Sequence, residues 1–268
     1  MGEILDNIAT YKNTKYEVFE CTDKWPAEFP ADMTYLSCSD NIFKQLPDNL
    51  PETLIHLACA KNNLTALPET LPDGLEYLHC SNNPCITQLP KRLPSGLIYL
   101  WCSNTSITII DYLPPGLKTL SCSNTGLKRL PQKLPPGLCS LYCNGNLLTA
   151  LPDIHTTVDV LWAHNNQLTE LPDLPEGLDI MSIIQPNDLL DENYPHLFLR
   201  FDNIDKIKYI NECNAMRRAR EQLQVINAGN VFLELYMKRR MHPDNFKALL
   251  ADPDIDVDEY MEAYVAAL

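Results

Sequence analysis

Apolar positions along the first two thirds of the chain recur in a fixed pattern of about twenty-one residues. In LIHLACAKNNLTALPETLPDG (54–74), Leu54, Leu57 and Cys59 set the frame, and Asn62, Leu64 and two Leu-Pro pairs follow. LEYLHCSNNPCITQLPKRLPSG (75–96) and LKTLSCSNTGLKRLPQKLPPG (117–137) repeat it. Cysteines keep the same place at 38, 59, 80, 102, 122 and 143, with Ala163 and Ile183 continuing the series at spacings of 20 to 22 residues. The alternation around each cysteine predicts a short strand, as in His56-Leu57-Ala58-Cys59-Ala60, with Leu57 and Cys59 on one face. One such unit cannot bury its apolar row alone, so the units must stack into a parallel sheet over a shared core. Eight rungs at about 4.8 Å predict a ladder on the order of 35 Å long.

The pattern L-x-x-L-x-C-x-x-N-x-L resembles the leucine-rich repeat, with cysteine in the third apolar slot. The fold class expected is an α+β repeat: a solenoid with a short parallel sheet on its concave face and a C-terminal helical segment. Proline blocks interior helical hydrogen bonds and restrains the residue before it, so the paired Leu-Pro elements predict an extended, polyproline-like convex side. The expected organisation is an N-terminal cap over 1–30, the solenoid over 31–187 and a helical cap or small helical domain over 188–268. A shorter first unit, framed on Cys21, is expected within the cap. Asn41, Asn62, Asn83, Asn146 and Asn166 should satisfy backbone groups at the turns. Thr105 and Thr125 stand in that slot in two units, whose turns should differ.

A cysteine on every rung raises metal, disulfide and redox readings beside simple packing. Free cysteine packs as a small hydrophobe, and Ala163 and Ile183 in the same slot fit packing and not coordination. A zinc site needs ligands converging on one point, whereas these line up along an axis. No metal and no cofactor is expected. Cys21, Cys85, Cys139 and Cys213 lie outside the slot and are the candidate reactive thiols.

Outward positions carry the candidate site. Read along the rungs, they hold Tyr35, His56, Tyr77, His79, Tyr99, Trp101, Tyr142, Trp162 and His164. Six of the eight Phe, Tyr and Trp residues between 32 and 187 fall in these columns, and no Lys, Arg, Asp or Glu does. Such a surface resembles the centre of a protein–protein interface, where Tyr and Trp are enriched and charges depleted. Strand propensity alone would favour Val, Ile and Thr equally, and they are scarce here. The three histidines lie in different columns on different rungs, which does not suit a metal.

Beyond residue 188, Ile207, Ile210, Cys213, Met216, Ala219, Leu223 and Ile226 recur at three or four, predicting an amphipathic helix that Asn227–Asn230 breaks. Residues 231–240 predict a second helix and Pro243 opens a third. In DPDIDVDE (252–259) the sixth position lacks the glycine of a calcium loop; Asp256 capping a final helix accounts for it. Arg217, Arg218, Arg220 and Lys238, Arg239, Arg240 read as a solvated face rather than a basic patch.

The chain has 268 residues and a formal net charge of −14, negative in both parts. That disfavours nucleic acid and anionic membrane surfaces as partners. The N-terminus has no secretory leader pattern and no run of about 18 apolar residues occurs, so a cytoplasmic location is expected. No nucleophile–base pair, phosphate loop or metal motif is present, and an enzyme is not expected.

The repeats also resemble those with paired Leu-Pro elements in bacterial effectors. In some of these a ubiquitin-ligase domain follows, but Asn211-Glu212-Cys213-Asn214 does not match its C-x-D motif. A second resemblance, carried by L-x-C-S-x-N units such as LSCSNTGLKRLP and by residues 241–261, is to repeat proteins of giant, mimivirus-type DNA viruses. It implies host cytoplasm or virion as the setting. The function expected is non-catalytic protein–protein interaction on the aromatic face. The alternative is a structural or virion-associated scaffold.

Overall fold

The computed structural model describes residues 16–18, 25, 29–178, 183 and 203–226. Eight strands form one parallel sheet in sequence order: β1 (Tyr16–Val18), β2 (Tyr35–Ser37), β3 (His56–Ala58), β4 (Tyr77–His79), β5 (Tyr99–Trp101), β6 (Thr119–Ser121), β7 (Ser140–Tyr142) and β8 (Val160–Trp162). Register is constant, with Leu36, Leu57, Leu78, Leu100, Leu120, Leu141 and Leu161 opposite one another. Each strand has only three residues, but pairing runs on beyond it. Cys80 N donates to Trp101 O at 2.8 Å and Asn82 N to Ser103 O at 2.9 Å, and the other rungs repeat this.

The inward leucines and the cysteines Cys38, Cys59, Cys80, Cys102, Cys122 and Cys143 are fully buried, with Ala163 continuing the column. The thiols therefore pack as expected. Leucines of the Leu-Pro pairs, such as Leu67, Leu71 and Leu130, close the opposite side of the core. No regular element lies between consecutive strands β2 to β8. The prolines give extended chain there, and a turn then feeds each strand: Leu75 N donates to Pro72 O at 3.0 Å, and Leu97 N to Pro94 O at 3.1 Å.

Asparagine holds the rungs together. Asn83 donates from Nδ2 to Cys80 O (2.9 Å) and, across the rung, to Cys59 O (3.0 Å), while its Oδ1 accepts from Leu64 N (3.1 Å). Asn62, Asn146 and Asn166 do the same. Thr105 Oγ1 reaches Cys102 O of its own rung, and Thr125 Oγ1 lies within reach of both Cys122 O and Asn146 Oδ1 of the next rung. The two threonine turns differ because a hydroxyl is too short to reach the cysteine carbonyl of the preceding rung, as the asparagine amides do.

Three expectations need correction. Tyr16 pairs with Tyr35, nineteen residues on, so the first unit is out of step with a frame on Cys21. Ile183 is fully buried but helical, so it does not continue the strand series, and among the described residues the sheet ends at β8. The column after each cysteine is not open to solvent throughout: Ala60, Ser81 and Ser123 are buried. The chain is already turning there, because the next residue adopts a left-handed backbone in every unit. Asp40, Lys61, Asn82, Asn104, Asn124, Gly145 and Asn165 all have φ between 52° and 68°.

The chain divides into two compact units, 1–212 and 213–268. Helix α1 (Asn203–Ile226) begins in the first. There it buries Ile207, Tyr209 and Ile210, and Asn211 exchanges two hydrogen bonds with the Leu174 backbone. In the second unit Cys213 and Asn214 are buried, and Arg217 donates to Asn214 Oδ1 at 3.1 Å. The expected cap over 1–30 lies mostly outside the described residues. The expected helices over 231–240, from Pro243 and from Asp256 lie wholly outside them.

Candidate partner-binding face

In each of β2 to β8 the middle leucine faces the core, so its two neighbours face away from it. In-register pairing then converts sequence period into two columns of side chains. The first holds Tyr35, His56, Tyr77 and Tyr99, followed by Thr119, Ser140 and Val160. The second holds Ser37, Ala58, His79, Trp101, Ser121, Tyr142 and Trp162.

The structure brings most of the predicted site residues together in a stack. His56 and Tyr77 lie 3.9 Å apart and 19° from parallel, Tyr77 and Tyr99 4.4 Å and 13°. Tyr35 extends the row at 5.7 Å from His56. Trp101 joins from the second column, 5.4 Å and 13° from Tyr99, with His79 edge-on to it at 5.7 Å. A second, smaller cluster sits on β7 and β8. Tyr142 meets Trp162 edge-to-face at 5.3 Å, and His164 lies 6.3 Å from Trp162. Trp162 is the most open of these rings, 44% exposed. Between the clusters β6 presents only Thr119 and Ser121, both half-buried.

Burial lowers the pKa of His56 below its ordinary 6.5. It also lowers that of His79, where Lys61 adds to the effect and Asp40 opposes it. Both imidazoles are therefore neutral at pH 7, and the aromatic stack carries no formal charge. The thiols behind it are electrostatically inert. Desolvation raises Cys38, Cys80 and Cys143 to about 12, and Cys59, Cys102 and Cys122 are also pushed well up. Among the described residues no group of three His, Cys, Asp or Glu side chains is placed to hold a metal.

Of the candidate reactive thiols, Cys85 is exposed and Cys139 half-buried. Cys213 is buried on α1, which fits its place on the helix's apolar face and corrects its reading as a reactive thiol. Cys21 lies outside the described residues.

Sequence reasoning missed the rim beside this face. The left-handed residues form their own column, in which Lys61 pairs with Asp40 at 2.9 Å. Asn104 Nδ2 donates to Asn82 Oδ1 (3.0 Å) and Asn124 Nδ2 to Asn104 Oδ1 (3.1 Å). Gly145 continues the column without a side chain, and any Cβ there would collide with the Asn124 amide. The signal was present: Asp, Asn and Gly dominate this position, and they tolerate positive φ best.

Stacked strands with inward leucines, an asparagine rung and an extended return define a leucine-rich-repeat solenoid. Solved structures agree. YopM from Yersinia enterocolitica superposes with a TM-score of 0.57 and 36% identity, over 62% of this chain and 36% of that one. YopM, a leucine-rich effector protein from Yersinia pestis, gives 0.54 and 32%, over 70% of this chain and 52% of the other. A Shigella effector leucine-rich-repeat domain gives 0.50 and 26%, over 75% and 81%. The chain thus spans about a third to a half of the two YopM chains. No protein-family model matches the sequence, and no curated protein does. The fold and these effector-like neighbours point to a role in protein interaction.

Proposed function

We propose that this chain is a non-catalytic interaction protein that holds a protein partner against the aromatic face of its sheet. The observation that carries the reading is the clustering of Tyr77, Tyr99, Trp101, Tyr142 and Trp162 on one surface that has no charged side chain. Aromatic anchors on a rigid scaffold supply large contact area at small entropic cost, and they dominate binding energy where they occur. The core does not need these side chains, since leucine and cysteine fill it. We propose a cytoplasmic location, where a reducing environment keeps the exposed Cys85 a thiol, with host cytoplasm or virion as the setting that the viral resemblance implies.

The test is affinity capture from cell extract with the wild-type chain and with Trp101→Ala/Trp162→Ala, followed by titration of the purified captured protein. Outward substitutions leave the core intact, so circular dichroism should not change. The reading expects the partner to be lost, with affinity down at least tenfold. A partner retained at full affinity overturns it.

A further inference from the structure

We propose that the gap in the aromatic stack over β6 is a slot for an arginine side chain presented by a basic segment of the partner. This deepens the reading above and rests on it.

In the first column rings follow one another at 3.9 and 4.4 Å, so this sheet stacks planar groups at about its own rung spacing. In the second column Trp101 on β5 and Tyr142 on β7 are separated by a single rung, occupied by Ser121. The Tyr77–Tyr99 stack runs along the rung direction, and Trp101 lies within 25° of both rings. One face of Trp101 is therefore turned toward β6 and across Ser121. Two rungs at about 4.8 Å put the walls roughly 10 Å apart. A planar group midway is then about 5 Å from the Trp101 ring, inside the roughly 6 Å over which a cation feels a ring face, with Tyr142 flanking it on the far side.

Charge and hydrogen bonding choose the occupant. No Lys, Arg, Asp or Glu lies in the outward columns, and the chain as a whole carries −14. Lys118, the neighbour of Thr119, runs away onto Gly137. At the floor, Ser121 Oγ and Ser103 Oγ are 2.7 Å apart, and Ser103 Oγ also accepts from Ser123 N. A hydroxyl has two acceptor sites, so Ser121 can still receive a donor. A neutral ring would fill the slot and leave that oxygen without one. A guanidinium is planar, stacks on aromatic faces, brings N–H donors and carries the sign that an acidic chain attracts.

The probe is a blocked peptide, acetyl-Gly-Ser-Gly-Arg-Gly-Ser-amide, with versions carrying citrulline or phenylalanine in place of arginine. Each is titrated at low salt into the full chain labelled with nitrogen-15. The Trp101 indole and Ser121 amide resonances are followed. The arginine peptide should shift both with saturation, and the other two should bind at least tenfold more weakly. Ser121→Tyr fills the slot with a residue the column already carries at 142, so the fold is kept, and it should weaken arginine binding at least tenfold. Equal binding by citrulline or phenylalanine, or Ser121→Tyr without effect, overturns the proposal. If the arginine peptide fails while Trp101→Ala/Trp162→Ala still loses the captured partner, the slot alone is refuted. If the partner is kept as well, the whole face is refuted.

Discussion

Asn211 on α1 holds the backbone of Leu174 from both sides: Leu174 N donates to Asn211 Oδ1 at 2.8 Å, and Asn211 Nδ2 donates to Leu174 O at 3.0 Å. A side-chain amide here does for the last Leu-Pro element what a neighbouring peptide group does within a ladder. Asn211→Ala removes both bonds, at an expected cost of about 1–2 kcal/mol. Asn211→Asp keeps the acceptor and loses the donor. Hydrogen exchange at the Leu174 amide should quicken strongly in the alanine variant and less in the aspartate one. Equal rates in all three proteins would show that the clasp contributes nothing.

Asn146 is the most heavily used rung asparagine. Its Oδ1 accepts from Thr125 N, Thr125 Oγ1, Gly126 N and Leu127 N at 2.9 to 3.1 Å. Its Nδ2 donates to Cys122 O and Cys143 O, each at 2.9 Å. Asn146→Ala strands several buried backbone groups, each costing about 1–3 kcal/mol when unpaired. A loss of about 3–5 kcal/mol in urea denaturation is expected, larger than for Asn211→Ala. A loss under about 1 kcal/mol would mean that the rungs are held chiefly by the sheet.

The cysteine column behaves as packing. Cys102→Ala should cost about 1–2 kcal/mol, since Ala163 already occupies the same slot fully buried. Cys102→Ser puts a hydroxyl in a dry core and should cost more. Under native conditions iodoacetamide should modify Cys85 first and Cys139 more slowly. The six column thiols should react only on unfolding, because burial both excludes the reagent and suppresses the thiolate. Mass spectrometry after pulse labelling reads this directly, and native labelling at Cys59 or Cys122 would contradict it.

His56 should give the fold a pH dependence. Burial lowers its pKa in the folded state, so the unfolded chain binds the proton more readily. Its contribution is complete above the ordinary 6.5 and is lost as pH falls from there through the depressed folded value. His79 acts in the same direction. Urea midpoints measured from pH about 7.5 down to about 5 should fall for the wild type. The fall should be smaller for His56→Phe, which keeps a ring in the stack. An identical slope in both proteins would remove His56 from the account.

Much of this was legible because a repeat states its inward positions many times over. Leu57, Cys59 and Asn62 recur with the same spacing, and the stack needs them at each rung. The outward columns followed by alternation, so Tyr77, Trp101 and Trp162 were placed on their face before any coordinates. What alternation does not carry is the point where a strand stops. Three-residue strands end before the cysteine, and the left-handed residue two places after it bends the chain. Ser81 and Ser123 are therefore covered although their parity would leave them open. At the ends no neighbouring unit enforces the frame, which is why Cys21 and Ile183 misled. Ring stacking between Tyr77 and Tyr99 needs side-chain torsions, which no pattern of residue types encodes.

The return without helices has a mechanical consequence. Each turn of this molecule spends about twenty residues on a single strand and a near-taut strap of prolines, leaving little slack between one coil and the next. Tension applied along its axis should peel coils one at a time from an end, so the rings on β4 and β5 would outlast those on β2 and β8.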